Sequence, residues 1–270
     1  MNWFETAIAY LGGLMPTPEP FGWIHLVSIG VIAISIIITM LCMRRRSDKA
    51  NRAMLLTYAI IAILFETYRQ LILSFDPATG IWSFDWASLP FQLCLMPMYV
   101  ALIAGLSRPG KFQSALMTFL GTFGLVVGLA IIALPTDVLS GIIGFNVHAM
   151  FVYGGMVVLG VYCLVSGRVA MKSRVILGAI PVFVIPAVIG LGASIAMWHF
   201  DVSHTVNLFY LSPYITTTLP LLDWVYTNVH YGAFLAAYFV GFSLIAYATL
   251  LVAMLINKLA NLGRNRGRNR

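Results

Sequence analysis

Long runs of apolar residues, separated by short polar connections, dominate the chain. We place seven such runs, each long enough to cross about 30 Å of hydrocarbon at a rise of about 1.5 Å per residue. Backbone groups in lipid must find hydrogen-bond partners within their own segment, so the runs predict α-helices. The predicted spans cover residues 22–43, 53–75, 88–106, 112–134, 145–167, 175–198 and 229–256. The fold class is therefore all-α, a polytopic membrane protein with seven transmembrane helices.

The regions outside the seven-helix domain, 22–256, are short. The N-terminal segment, 1–21, predicts a short interfacial helix that ends at Gly12 and carries Trp3, Phe4, Ile8 and Tyr10. The C-terminal tail, 257–270, is basic. The longest connection, 199–228, is largely apolar, so we expect it to fold back on the bundle as a lid or re-entrant element.

Composition supports a membrane location. Hydrophobic residues make up 60% of the chain, charged residues 9%, and mean hydropathy is +0.92. A soluble domain carries about 25% charged residues, so charge this sparse is typical of an integral membrane protein. The apolar runs leave no length for a separate soluble domain.

The charges are divided between the two sides of the predicted bundle. A net charge of +7 is compatible with a nucleic-acid partner, but its placement argues for membrane topology instead. Every lysine and arginine except Arg69 falls in the first, third or fifth connection or in the tail. The opposite connections contain no lysine or arginine. Their charged residues are all acidic: Glu5, Glu19, Asp76, Asp85, Asp137, Asp201 and Asp223. The positive-inside rule predicts an outside N-terminus and a cytoplasmic C-terminus in the cell membrane.

Two charged residues lie within a predicted span. Glu66 and Arg69 are three residues apart, so they share a helix face and can pair, and Gln70 lies on the same face. Arg69 lies about 9 Å below the outer end of its helix. The pair either fixes packing or marks a binding site, because ionisable residues within membranes often do.

A thiol lies at a similar depth in the third span. The stretch Leu89-Pro90-Phe91-Gln92-Leu93-Cys94 brings Cys94 and the Gln92 amide just inside its outer end. A buried cysteine is most often a small hydrophobe, but a nearby Arg69 or a histidine would favour its thiolate. His148 begins the fifth span at the same face. A Cys94–His148 pair predicts a nucleophile and its base, with amides to hold an oxyanion from Gln70, Gln92 and Asn146.

Several other functions are not supported by the sequence. A retinal protein needs a lysine within a span, and each lysine lies in a connection or at the basic edge. Walker, Rossmann and CxxC motifs are absent, so we expect no cofactor. Three cysteines make no disulfide framework. We expect no metal site, because the spacing of the outer histidines matches no known motif: His199, His204 and His230.

The chain resembles the YwaF-type bacterial integral membrane proteins. The similarity lies in Leu-Pro-x-x-Leu-Cys at 89–94, the helix with His148, Asn207 with Tyr210, and Leu221-Leu222-Asp223. These proteins are related to a eukaryotic multi-pass family that remodels ether phospholipids by Cys-dependent acyl transfer. The resemblance implies Cys94 as the acyl-accepting nucleophile and His148 as its base. The chain departs from the bacterial pattern at Gln92, where histidine is frequent.

Two functions follow as hypotheses. The first is a lipid acyltransferase or acyl hydrolase that works through a Cys94 thioester in the outer-leaflet half, with membrane phospholipids as substrates. In it Arg69 binds a lipid phosphate or stabilises the thiolate, and Glu66 orients Arg69. The second is a non-catalytic lipid-binding, transport or assembly subunit, in which the Glu66–Arg69 pair is structural or holds a headgroup. A partner protein within the membrane is left open, and nothing indicates a nucleic-acid partner.

Overall fold

The fold is almost entirely helical, as predicted. The computed structural model describes residues 2–43, 47–219 and 221–268, with the side chains of Asp137 and residues 263–268 left out. Arg44, Arg45, Arg46 and Arg270, which contribute to the predicted charge distribution, lie outside the described residues.

The helices account for most of the described chain. In order they are α1 (Trp3–Leu11), α2 (Trp23–Cys42), α3 (Asp48–Ser74), α4 (Met96–Leu106), α5 (Lys111–Ala133), α6 (Ile143–Val165), α7 (Ile176–His199), α8 (Leu222–Asn228) and α9 (Tyr231–Arg268). Strands β1 (Phe75–Asp76) and β2 (Ile81–Trp82) form a small antiparallel hairpin after α3. The predicted N-terminal helix is confirmed as α1, where Asn2 and Glu5 form a reciprocal capping box. The predicted C-terminal tail is helical as far as Arg268.

Six of the described helices are long and apolar enough to cross a membrane: α2, α3, α5, α6, α7 and α9. The third predicted span, 88–106, is shorter than expected, because regular helix begins only at Met96 after a 3₁₀ turn at Leu93–Leu95. Proline explains the late start. It is tolerated in the first turn of a helix, where Pro97 lies, but it disfavours helix at the residue before it, as at Pro90. Residues 93–106 rise about 21 Å, less than the hydrocarbon thickness.

The loop before α4 and α4 itself together lie along about half of α3, since Leu56 and Arg69 are about 20 Å apart on that helix. The last turn of α4 packs Gly105 directly against Leu55 and Leu56, near the start of α3. The loop before α4 lies near the end of α3, because Arg69 and Gln70 bond to it.

The basic connections meet at one end of the bundle. The Arg168 guanidinium pairs with Asp48 at the start of α3. Ser114, in the first turn of α5, donates to the Arg168 carbonyl oxygen at 3.5 Å. The Gln113 amide donates to the carbonyl of Ser107 at 3.3 Å. Parts of the first, third and fifth connections are thereby brought together, as the alternating charge pattern requires.

The 199–228 connection packs into the bundle, as its apolar sequence predicts. Val206, Leu208 and Leu211 are buried there. The ring of Phe209 is fully buried and contacts Phe91, with the ring centroids 5.5 Å apart. A small residue is required opposite that ring, because a Cβ on Gly190 would lie 2.6 Å from Phe209.

A π-helical segment, Leu120–Gly124, interrupts α5 where it crosses α6. The two helices approach closely at Gly160: an added Cβ would lie 2.7 Å from the Leu125 Cβ and 3.0 Å from the Leu120 carbonyl oxygen. Backbone cannot yield as a flexible side chain can. We therefore expect Gly160→Ala to lower the free energy of unfolding by about 1–3 kcal/mol, as overpacking does.

The measurement is thermal unfolding of the purified protein in detergent. Gly241→Ala is the matched control, since nothing lies within 4 Å of the Cβ added there in the long apolar helix α9. Equal melting temperatures for the two variants would contradict the close packing of α5 on α6.

Candidate functional site

The Glu66 carboxylate is the centre of the polar cluster. It lies just over two turns before the end of α3 and is 3% exposed. Its Oε1 accepts a hydrogen bond from Arg69 Nη1 at 3.0 Å, and its Oε2 lies 2.8 Å from His148 Nε2. The spacing in sequence predicted the first partner, whereas the second comes from α6. Both carboxylate oxygens are paired, which offsets the cost of burying the charge.

Arg69 and Gln70 fix the loop that leads to Cys94. Arg69 Nη2 is 3.4 Å from the Ser88 hydroxyl, and its side chain is 25% exposed. Gln70 Nε2 donates to the Asp85 carbonyl at 3.1 Å, while its Oε1 is buried and finds no partner among the described residues. The loop before α4 is therefore held against α3 by two side chains from consecutive positions.

Gln92 shapes the backbone around the thiol. It is extended, and its carbonyl accepts from the amides of Leu95 and Met96, which starts the 3₁₀ turn containing Cys94. Its Nε2 donates to the Ala87 carbonyl at 3.2 Å. Its Oε1 lies 3.9 Å from Cys94 Sγ. The amide oxygen of Gln92 thus contacts the thiol, while the amide nitrogen donates to the backbone of the loop.

Tyr153 lies next to both the Cys94 thiol and the His148 ring. Its hydroxyl donates to Cys94 Sγ at 3.8 Å, within the range of a weak hydrogen bond to sulfur. Its ring lies edge-on to that of His148, with the centroids 6.2 Å apart. The sequence argument missed this residue. The available signal was a tyrosine within a span, since a buried phenol usually finds a polar partner.

Asn146 lies apart from these contacts. Its Oδ1 accepts from the Ser140 amide at 2.9 Å, and its Nδ2 donates to the carbonyls of Ser140 and Ile142. Nδ2 also approaches Met15 Sδ at 3.5 Å. The side chain therefore organises the loop before α6 and the N-terminal segment, whereas the structure brings Glu66, Arg69 and His148 into one hydrogen-bonded chain.

The contact of His148 with Glu66 suits one tautomer of the imidazole. An ionised carboxylate only accepts hydrogen bonds, so beside it Nε2 is the donor, and Nδ1 of a neutral imidazole then keeps the lone pair. A carboxylate that orients a histidine in this way is the arrangement found in acid–base triads. Beside it, the Tyr153 phenol donates to the Cys94 sulfur.

The described histidines outside the Glu66 cluster do not gather into one site. His204 pairs with Asp201 at 3.4 Å, and His199 lies 2.8 Å from the Tyr214 hydroxyl. His25 is buried and bonds to the backbone of Phe21 and Ile132. Within the described ranges, no group of three histidine, cysteine or acidic side chains is arranged to hold a metal ion.

Comparison with known proteins gives no relative from which a function could be inferred. No family model, curated protein or solved structure matches this chain. The resemblance to the YwaF-type proteins stays a prediction.

Proposed function

We propose that the protein is a multi-pass membrane enzyme that moves a fatty acyl chain of a phospholipid through a thioester on Cys94. The observation that carries the proposal is the pairing of a thiol with a phenol donor, Tyr153, next to a histidine that a buried carboxylate orients. A thiol has an unperturbed pKa of about 8.5, so a nucleophilic cysteine needs such neighbours.

The proposed steps use these groups as follows, with His148 reaching the thiol once a lipid is bound. The Cys94 sulfur attacks the ester carbonyl of the lipid, with its proton accepted by His148, and the C–O bond breaks to give an acyl-cysteine and a lysolipid alcohol. His148 returns the proton to the leaving alkoxide. A second alcohol, or water, then attacks the thioester and restores the thiol. Arg69, a quarter exposed, is the cation suited to the lipid phosphate.

The proposal includes seven crossings, with the acidic end outside and the basic end in the cytoplasm. The cluster then lies in the outer-leaflet half. In a cysteine-free background, Asp223→Cys is expected to react with an impermeant maleimide on intact cells. Lys49→Cys and Lys172→Cys are expected to react only after the cells are opened. Labelling of position 172 from outside would reverse the orientation and move the site to the other leaflet.

The direct test is the acyl-enzyme. Purified protein incubated with a phospholipid that carries labelled acyl chains is expected to gain one acyl mass on the peptide containing Cys94, and hydroxylamine is expected to remove it. The Cys94→Ala variant serves as the control. A protein that stays unacylated while it turns lipid over would exclude the thioester route.

A second candidate is a non-catalytic lipid-binding, transport or assembly subunit. The observation that favours it is the full pairing of Glu66, since a carboxylate with both oxygens engaged is also what a purely structural cluster needs. In that case Arg69 holds a headgroup without turnover, and lipid composition is independent of Cys94.

A further inference from the structure

An apolar groove of about 580 Å³ lies between α7 and α9, remote in sequence from Cys94. Its volume falls within the range of about 300–1,000 Å³ that small-molecule sites occupy. Bulky side chains form most of its lining: Leu177, Ile180, Val184, Phe239, Val240 and Leu244. Leu177, Val240 and Leu244 are more than half exposed, so the groove is open along its length.

One end of the groove is polar and positively charged. Ser173 and Arg174 line it from the 3₁₀ turn that precedes α7, and Ser243 and Tyr247 line it from α9. Arg174 is exposed and makes no ion pair with any described residue. The groove-lining side chains include no acidic residue that could neutralise it.

The polar character increases further along the same two segments. A second hollow lies between Met171 and the part of α9 beyond Leu251, and its lining includes Asn257, Lys258 and Asn261. The polar side chains of the lining therefore change from hydroxyl and guanidinium to amide and ammonium as α9 approaches the basic end of the bundle, and Met254, Leu255 and Leu262 keep part of the second hollow apolar. This is the order of polarity that a lipid presents from its acyl chain to its headgroup.

We propose that the groove binds one anionic phospholipid of the leaflet on the basic side. An acyl chain lies along the aliphatic lining, and Arg174 binds the phosphate, with the Ser173 hydroxyl as a further donor. Arginine suits this role because its planar guanidinium donates two parallel hydrogen bonds to phosphate. A partner helix fits less well, because helix contacts in membranes favour small residues that let backbones approach. The site does not depend on the chemistry at Cys94.

The test compares how tightly the purified protein retains two lipids of identical chains, phosphatidylglycerol and phosphatidylcholine, by native mass spectrometry from mixed micelles. We expect wild-type protein to favour phosphatidylglycerol by about fivefold, the size expected for one basic side chain near a membrane surface. Arg174→Gln is expected to remove that preference, and Arg174→Lys to keep most of it. Val240→Trp, which fills the groove, is expected to reduce retention of both lipids.

The matched control is Lys172→Gln, which removes an exposed charge from the same connection but outside the groove. An equal loss of preference in Lys172→Gln and Arg174→Gln would mean general surface charge and overturn the proposal. Unchanged lipid retention in Val240→Trp would also overturn it. If that variant instead changed the oligomeric state measured by light scattering, the groove would be a contact between copies of the chain.

Discussion

Cys94→Ser is expected to abolish acyl turnover while the protein stays folded. A serine hydroxyl is a far poorer nucleophile than a thiolate, because it stays protonated at neutral pH. The side chain is only partly buried, so the small change in volume is tolerated. Turnover is measured as transfer of a labelled acyl chain from phospholipid to lysophospholipid or water, and folding as the melting temperature in detergent.

Two other cysteines provide the controls. Cys42→Ser changes an exposed residue, and Cys163→Ala a buried one, and neither contacts the cluster around Glu66. Both variants are expected to keep turnover. Tyr153→Phe gives a graded comparison, because it removes the phenol that donates to Cys94 Sγ and is expected to lower turnover without abolishing it. Normal turnover in Cys94→Ser protein would favour the binding or assembly function.

Glu66→Gln is expected to lower both stability and turnover. The amide leaves Arg69 and His148 without their shared carboxylate in a site where water is scarce. Breaking a buried ion pair from one side costs about 3–5 kcal/mol, and we expect the lower end because Arg69 keeps a quarter of its side chain exposed. Turnover is expected to fall by up to about 10⁴-fold, as when the carboxylate partner of a catalytic histidine is neutralised.

A double variant separates the two effects. Glu66→Gln with Arg69→Gln removes both members of the ion pair and is expected to recover part of the lost melting temperature, while turnover stays low. Thr67→Val, one position along α3 and exposed, is the matched control for a change on this turn. Recovery of both stability and turnover in the double variant would leave the pair a structural role alone.

The sequence predicted most of the helices with little error, because the length of an apolar run is a local property of the chain. The apolar runs correspond to α2, α3, α5, α6, α7 and α9, with ends displaced by a few residues except at the tail. The exception is 88–106, where the run of apolar residues is long but Pro90 and Pro97 delay the helix. Hydropathy does not register such a break, because it counts transfer free energy and ignores the missing N–H.

Within the site, a contact between residues close in sequence could be predicted, whereas contacts between residues distant in sequence could not. Glu66 and Arg69 pair across one helical turn, so their spacing alone predicts the contact. The contact of Glu66 with His148 joins residues 82 positions apart, and that of Tyr153 with Cys94 joins residues 59 apart. Such contacts depend on which helices pack together and on how each helix is rotated about its axis. The hydrophobic periodicity of the sequence specifies neither.

What the sequence by itself determined is the class of protein, the positions of its helices and the division of charge between its ends, because each depends on the free energy of placing residues in lipid or water. Tertiary packing decided that the His148 imidazole meets Glu66 Oε2 and that Tyr153 meets the thiol. It also turned Asn146 toward the loop at Ser140. A buried polar group must satisfy its hydrogen bonds with whatever partner the fold brings within about 3 Å, so these pairings exist only once the helices are assembled.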